Sequence, residues 1–246
     1  MRRFAAICSL LALGGAGAGA PAGAQSAPPP LAAKLVTCQT GAALAERFAV
    51  FSGSMPAMKG ARTLEMRFEL LERRPADQGF ARVVLPHWGT WEKTSRRGVP
   101  GFIFTKRVQQ LAAPAAFRAR LTFRWLDPAG ATLRTARRTT QTCHQPDPRP
   151  DLHVAAVRFP AEGRPVVVVR NRGRSAAGPF AVRMSRAGAA ATKQVVALAA
   201  GDRQTLSFPL GRCTPGELVT VRLDPANRVD EADEADNVVT VACPSR

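Results

Sequence analysis

Between residues 63 and 70 the chain alternates strictly. Leu64, Met66, Phe68 and Leu70 are apolar, and Thr63, Glu65, Arg67 and Glu69 are polar. The period of two returns over 117–125, where Phe117, Ala119, Leu121, Phe123 and Trp125 interleave with Arg118, Arg120, Thr122 and Arg124. Such alternation sets one row of side chains against a core and the other in water, as in antiparallel strands with a single buried face. Asp127-Pro-Ala-Gly130 supplies turn chemistry, and Thr132–Thr140 reads as the returning strand. Beyond residue 150 shorter runs follow: Asp151–Val157, Pro165–Asn171, Phe180–Ser185, Gln194–Leu198, Thr205–Pro209, Leu218–Leu223 and Val238–Val241. Seven short runs punctuated by Gly and Pro predict a β-sandwich. The chain is expected to be all-β.

Gln145-Pro-Asp-Pro-Arg-Pro150 carries three prolines in six residues and cannot pair inside a central sheet, so it reads as a stiff linker. A length of 246 residues suits two domains, each with its own core. The start has a different character. Arg2 and Arg3 are basic, Phe4–Leu13 is apolar, and small residues continue to Ala22-Gly-Ala24. That is the layout of a signal peptide cleaved before Gln25. The apolar stretch is far shorter than the roughly 20 residues a membrane span needs. Cys8 lies inside it rather than just after it, unlike a lipoprotein cysteine. No later segment has 18 apolar residues in a row, so no transmembrane segment is expected in the mature chain. The expected organisation is a signal peptide 1–24, a Pro-rich lead 25–30, a β-sandwich 31–145, a linker 146–150 and a second β-sandwich 151–246.

Cleavage would leave Cys38, Cys143, Cys213 and Cys243. An even count in an exported chain, with no Cys-x-x-Cys pair, favours disulfides over metal ligation or redox catalysis. Three connectivities are possible. Spacing favours Cys38–Cys143 with Cys213–Cys243, because each pair then brackets one expected domain. In the chain-entropy view a loop near 100 residues stabilises by about 4–5 kcal/mol and one near 30 by about 3–4 kcal/mol.

Charge divides the chain unequally. Residues 25–145 carry 19 Lys/Arg against 7 Asp/Glu, a net +12, whereas residues 146–246 carry 14 against 11, a net +3. Thirty of the 35 basic residues are Arg. With abundant Ala, Gly and Pro, that bias is also what GC-rich coding produces.

Two stretches resemble known families. Leu111, Pro114 and Phe117, leading into the alternating strand, look like the tyrosine-corner segment of fibronectin type III domains, with Phe in place of Tyr. The chain has no Tyr, so the corner's hydroxyl bond must be missing. The second half resembles the CARDB family, the cell adhesion related domain found in bacteria. The resemblance opens at Pro150-Asp-Leu-His-Val154 and runs through Val166-Val-Val-Val-Arg-Asn-Arg-Gly173, Ala177-Gly-Pro-Phe180 and Leu198-Ala-Ala-Gly-Asp202. It closes on a hairpin in which Asp224, Asn227, Val229, Glu231, Glu234 and Asn237 match position by position. Asp233 and Asp236 depart from it, standing where Asn is usual. The resemblance implies an extracellular immunoglobulin-like sandwich without chemistry of its own. The fold class expected is therefore two tandem immunoglobulin-like β-sandwiches.

Two candidate sites emerge. The closing loop offers Asp224, Asn227, Asp230, Glu231 and Glu234 as oxygen ligands for calcium, although it lacks the EF-hand spacing. Turn-shaping by Asp224 and Asn227 is the competing reading. A basic face in the first domain gathers Arg118, Arg120 and Arg124 with Arg134, Arg137 and Arg138 of the next strand and Arg96-Arg97 of a loop. Such a surface would attract anionic polymers, and Trp88 and Trp91 could stack on a sugar unless they belong to the core. His87, His144 and His153 lie in unrelated stretches, and no hydrolase elbow, zincin helix or phosphate loop occurs, so a hydrolase is only a minor alternative.

The expectation is a secreted or cell-surface, non-catalytic, adhesion-type binding or spacer module of the bacterial envelope. Its partners would be envelope polysaccharide or a surface protein. The alternative is electrostatic capture of anionic envelope polymers through the first domain's arginines. No cofactor is expected beyond calcium, and no nucleic acid, for which no motif is present.

Overall fold

The computed structural model describes residues 27–95, 99–160 and 164–245. Sixteen strands and one short 3₁₀ turn, Leu44–Glu46, make up its regular structure. In the first half these are β1 (Ala32–Gln39), β2 (Phe48–Pro56), β3 (Thr63–Arg73), β4 (Ala81–Val83), β5 (Trp91–Thr94), β6 (Gly101–Gln109), β7 (Ala115–Leu126), β8 (Thr132–Thr139) and β9 (Cys143–Gln145). In the second half follow β10 (Leu152–Arg158), β11 (Val166–Asn171), β12 (Phe180–Arg186), β13 (Ala189–Val195), β14 (Arg203–Ser207), β15 (Leu218–Leu223) and β16 (Val238–Ala242).

Each half is a sandwich of two antiparallel sheets, and the two halves share one plan. In the second, β10-β11-β14 faces β13-β12-β15-β16. In the first, β1-β2-β6 faces β4-β3-β7-β8, with β5 added to β3 and β9 added to β7. The first, second and fifth elements of the plan form one sheet, and the third and sixth pair centrally in the other. This partition is immunoglobulin-like. The pairs β3·β7 and β12·β15 are structural equivalents.

The cores are separate. In the first half, Phe51, Met66, Phe68, Leu121, Phe123 and Trp125 are fully buried; in the second, Leu152, Phe180, Val182, Met184, Phe208 and Val221 are. Burying each such side chain contributes about 1.5–3 kcal/mol. Trp125, the largest of them, satisfies its indole N–H by donating to the Pro56 carbonyl at 2.8 Å. Gly53 on β2 permits the two sheets to approach, since a Cβ there would stand 2.5 Å from Leu121 Cδ2 and 2.9 Å from Met66 Sδ. Disulfides Cys38–Cys143 and Cys213–Cys243 each lie within one half, with Cα atoms 5.4 and 6.0 Å apart.

The alternating segments become β3 and β7, and Asp127–Gly130 forms the turn, with the Gly130 N–H donating to the Asp127 carbonyl at 3.1 Å. Leu111 and Phe117 both join the core, on either side of a cis Ala113–Pro114 bond. One run is corrected. The strand expected at Gln194–Leu198 is β13, Ala189–Val195, joined to β12 through Ala187-Gly188, and Leu198 contributes only an isolated bridge to Ala177. Its Ala-rich start is an exposed edge, so no apolar alternation marks it.

Candidate functional site

The acidic loop between β15 and β16 holds chain in place. Asp224 and Asn227 take left-handed backbone conformations, with φ of 34° and 50°. The Asp224 carboxylate accepts the Val229 N–H at 2.7 Å, and the Asn227 N–H donates to the Asp224 carbonyl at 2.9 Å. Glu231 is buried and accepts the Leu152 N–H at 2.5 Å and the Asn237 amide at 3.0 Å. Asn237 donates to Glu234 as well, at 2.9 Å. Asp230 alone reaches outward, accepting from Arg149 Nη1 at 2.6 Å. The five calcium candidates therefore do not converge. Among the described residues no cluster of three His, Cys, Asp or Glu side chains is placed to hold a metal. One Asp224 oxygen and the carboxylates of Glu231 and Glu234 accept N–H groups, the turn-shaping use that competes with calcium.

The loop grips the segment read as a stiff linker. Arg149 forms a fork with Asp147, at 2.9–3.2 Å, while reaching Asp230, and the fork holds the Asp147 carboxyl below its ordinary pKa. The Pro150 carbonyl accepts the Ala232 N–H at 2.8 Å, and the Arg149 carbonyl accepts the Arg174 N–H at 3.1 Å. Asn171, wholly buried, donates to the carbonyls of Ser175 and Leu198 at 2.8 and 3.0 Å. Its side-chain Oδ1 accepts the N–H groups of Asp151 and Gly173 at 3.1 and 2.9 Å. Gly173 must be a glycine here: a Cβ would meet the Arg149 carbonyl oxygen at 2.4 Å and the Asp151 nitrogen at 2.5 Å. Asp236, where the loop departs from the family pattern, pairs with Arg172, which also binds Asp151 at 3.3 Å. The Asn-Arg-Gly spacing was readable in sequence, but its partners were not.

Burial pushes the Glu231 carboxyl up to about 7. The donors from Leu152 and Asn237 oppose the rise, and the charges of Glu234 and Asp224 reinforce it.

The arginine face of the first half is real but differs from expectation. Side chains directly opposite across antiparallel strands share a face. On the outer face, Arg124 stands opposite Glu65, Arg120 opposite Glu69, and Arg137 opposite Thr122. Arg138 and Arg134, by contrast, stand opposite Leu121 and Trp125, on the core side of edge strand β8. Arg134 lies over the Trp125 ring, 5.2 Å from its centroid. These two do not belong to the face, because strict alternation gives neighbouring arginines opposite directions. Arg96 and Arg97 lie outside the described residues, as does the signal segment.

Of the arginines that remain, Arg118, Arg120 and Arg124 are engaged. Arg120 Nε is 3.0 Å from Glu69, which also faces Arg82 at 3.6 Å, and Arg124 is 3.8 Å from Glu65. Trp91 lies between Arg67 and Arg124, their guanidinium carbons 4.9 and 3.5 Å from its ring centre. Phe80 lies likewise between Arg73 and Arg118, at 5.1 and 3.9 Å. Phe80 went unnoticed in the sequence because it sits in a loop and meets Arg118 only through folding. Trp88, partly buried, packs edge-on against Phe51 and Phe68 of the core, at 6.2 and 6.3 Å, and also lines a surface depression with His87 and Lys106.

The histidines occupy three separate places: His87 a left-handed loop position, His144 exposed strand β9, and His153 strand β10. Burial holds the His153 imidazole below its ordinary pKa, and the Arg172 charge acts in the same sense.

Residues 150–241 match the CARDB family. No curated protein matches the chain. Among solved structures it is similar to the 272–376 domain of a cell surface protein from Methanosarcina acetivorans, at 23% identity over 40% of this chain and 93% of that one, TM-score 0.36. It is also similar to a structure of the chaperone–tip adhesin complex of CFA/I fimbriae biogenesis, at 11% identity over 87% of this chain and 100% of that one, TM-score 0.27. A third similarity is to the FN1–FN3 domains of chicken CNTN1, at 11% identity over 89% of this chain and 66% of that one, TM-score 0.22.

Proposed function

We propose, from the CARDB domain at residues 150–241, that this protein is a non-catalytic, adhesion-type binding or spacer module of the bacterial envelope or extracellular space. The family match is the observation that carries the reading. Two disulfides agree with an oxidising compartment, and no described helix is long and apolar enough to cross a membrane. In this reading residues 1–24 direct export and are removed. Residues 31–145 and 151–246 are the two units, joined through 146–150. The acidic loop serves stability rather than calcium binding, and the partner is an envelope polysaccharide or a surface protein.

Co-sedimentation of the mature chain with cell-wall and polysaccharide fractions tests the reading. Saturable binding is the expected result. Absence of binding at low salt would leave only the spacer role, and turnover of a glycosidase, esterase or peptidase substrate would overturn the non-catalytic reading.

A further inference from the structure

The outer face of β13-β12-β15-β16 carries two charges on its central strands, and both are positive. Arg183 on β12 stands directly opposite Arg222 on β15. Like charges so placed repel, and cross-strand pairing normally avoids them. Neither arginine makes an ion pair among the described residues. One step along the same face Ser185 stands opposite Thr220, and the Thr220 hydroxyl is 3.0 Å from that of Thr240 on β16. Thr192 on β13 is the partner of Arg183 on the other side. By the pairing register no Asp or Glu of the four strands lies on this face.

Between the arginines is a depression of about 450 Å³ lined by Arg183, Ser185, Thr220, Arg222 and Pro225. Two others among the described residues, of about 470 and 390 Å³, each include a carboxylate, Asp77 and Glu92 respectively. An arginine pair alone does not make a site. Arg170 and Arg203 also stand opposite each other, across β11 and β14, but the next pair on that face is Val168 with Thr205 rather than two hydroxyls.

We infer that this depression binds an acidic polysaccharide, with one anionic substituent held between Arg183 and Arg222. Two guanidinium forks flank a single carboxylate, sulfate or phosphate group and donate charge-assisted hydrogen bonds to it. Ser185, Thr220 and Thr240, one step along the face, then meet sugar hydroxyls beside the anion. Binding of the anion removes the repulsion that the empty face carries. The inference deepens the adhesion-type reading by giving it a ligand class and a site.

Isothermal titration of the full mature chain with tetragalacturonate, and separately with a sulfated tetrasaccharide, tests it. Arg183→Gln/Arg222→Gln should weaken binding about tenfold or more. Arg170→Gln/Arg203→Gln removes the same charge from the opposite sheet and should change affinity less than about twofold. The ratio between the two probes identifies the anionic substituent. Equal losses in both double variants would reduce the effect to net charge and overturn the site. No binding of either probe would overturn it too. If cell-wall fractions still retained the protein after that failure, the broader adhesion reading would survive, and loss of both would end it.

Discussion

The pairs β3·β7 and β12·β15 occupy the same place in two copies of one plan, yet their outer faces are built oppositely. On β3·β7, Glu65 and Glu69 face Arg124 and Arg120, and Trp91 and Phe80 each lie between two arginines. On β12·β15, Arg183 faces Arg222 with no acid on the sheet. Six of the eleven acids of the second half lie instead in the closing loop, where Glu231, Glu234 and Asp230 hold Leu152, Asn237 and Arg149. The half with the larger positive charge is thus the one whose central strand pair sets carboxylates against two of its arginines. Net charge alone does not tell the two faces apart. What decides whether an arginine is available is the residue opposite it in the register.

The sharpest attempt to break the contrast is Gly173→Ala, which drives a Cβ into the backbone of Arg149, Pro150 and Asp151. A loss of about 1–3 kcal/mol is expected. All three tryptophans belong to the first half. The calorimetric transition of the second half should therefore fall, with the tryptophan fluorescence transition unmoved. A shift of both would mean that the halves unfold as one.

Glu69→Gln leaves Arg120 and Arg82 without their carboxylate on a face where it is nearly buried. It should cost about 1–2 kcal/mol, read by tryptophan fluorescence in urea. An unchanged midpoint would show that the ladder of the first half is ornamental to stability.

A smaller effect is expected from pH, because hydrogen bonds to Glu231 offset part of its burial. Its folded pKa of about 7 lies above the ordinary value of 4.5, so between those values the folded state binds the extra proton. Its contribution is fully present below about pH 4.5 and is lost as pH rises through 7. Glu231→Gln removes this dependence, and the difference in melting temperature, variant minus wild type, should grow from pH 5 to pH 8. His153, lowered below 6.5, acts in the opposite sense but is common to both proteins and cancels. A difference independent of pH would place the Glu231 titration outside this range.

The least effect should come from Arg222→Thr. Relieving the repulsion with Arg183 should leave stability unchanged or raise it by up to about 0.5 kcal/mol. A clear loss would show that the two arginines are held apart by contacts worth keeping, contrary to an open anion site.

Alternation made β3 and β7 legible, and six of the seven expected runs of the second half overlap strands β10, β11, β12, β14, β15 and β16 closely. Strands β1, β2 and β6 gave no comparable signal. Their apolar positions are interrupted by Ser52, Gly53 and Ser54 and by Thr105, Lys106 and Arg107, and Lys106 sits on the inner side, held by Glu92 at 2.7 Å. The acidic loop was visible as composition and turn residues, but calcium ligation and turn-holding use the same side chains. Only the position of Leu152, 79 residues away in sequence, tells them apart.

The sequence by itself determined that this chain is made of strands, which residues of the strictly alternating strands β3 and β7 face inward, and where the Gly- and Pro-marked turns fall. Those are properties of near neighbours, set by side-chain periodicity and by the backbone preferences of Gly, Pro, Asn and Asp. Tertiary structure alone decided which strand lies beside which, and therefore that Arg120 meets Glu69 whereas Arg183 meets Arg222. The physical reason is that a charge has no fixed meaning along the chain. Its energy depends on what stands about 5 Å away across the sheet, and pairing between distant segments sets that.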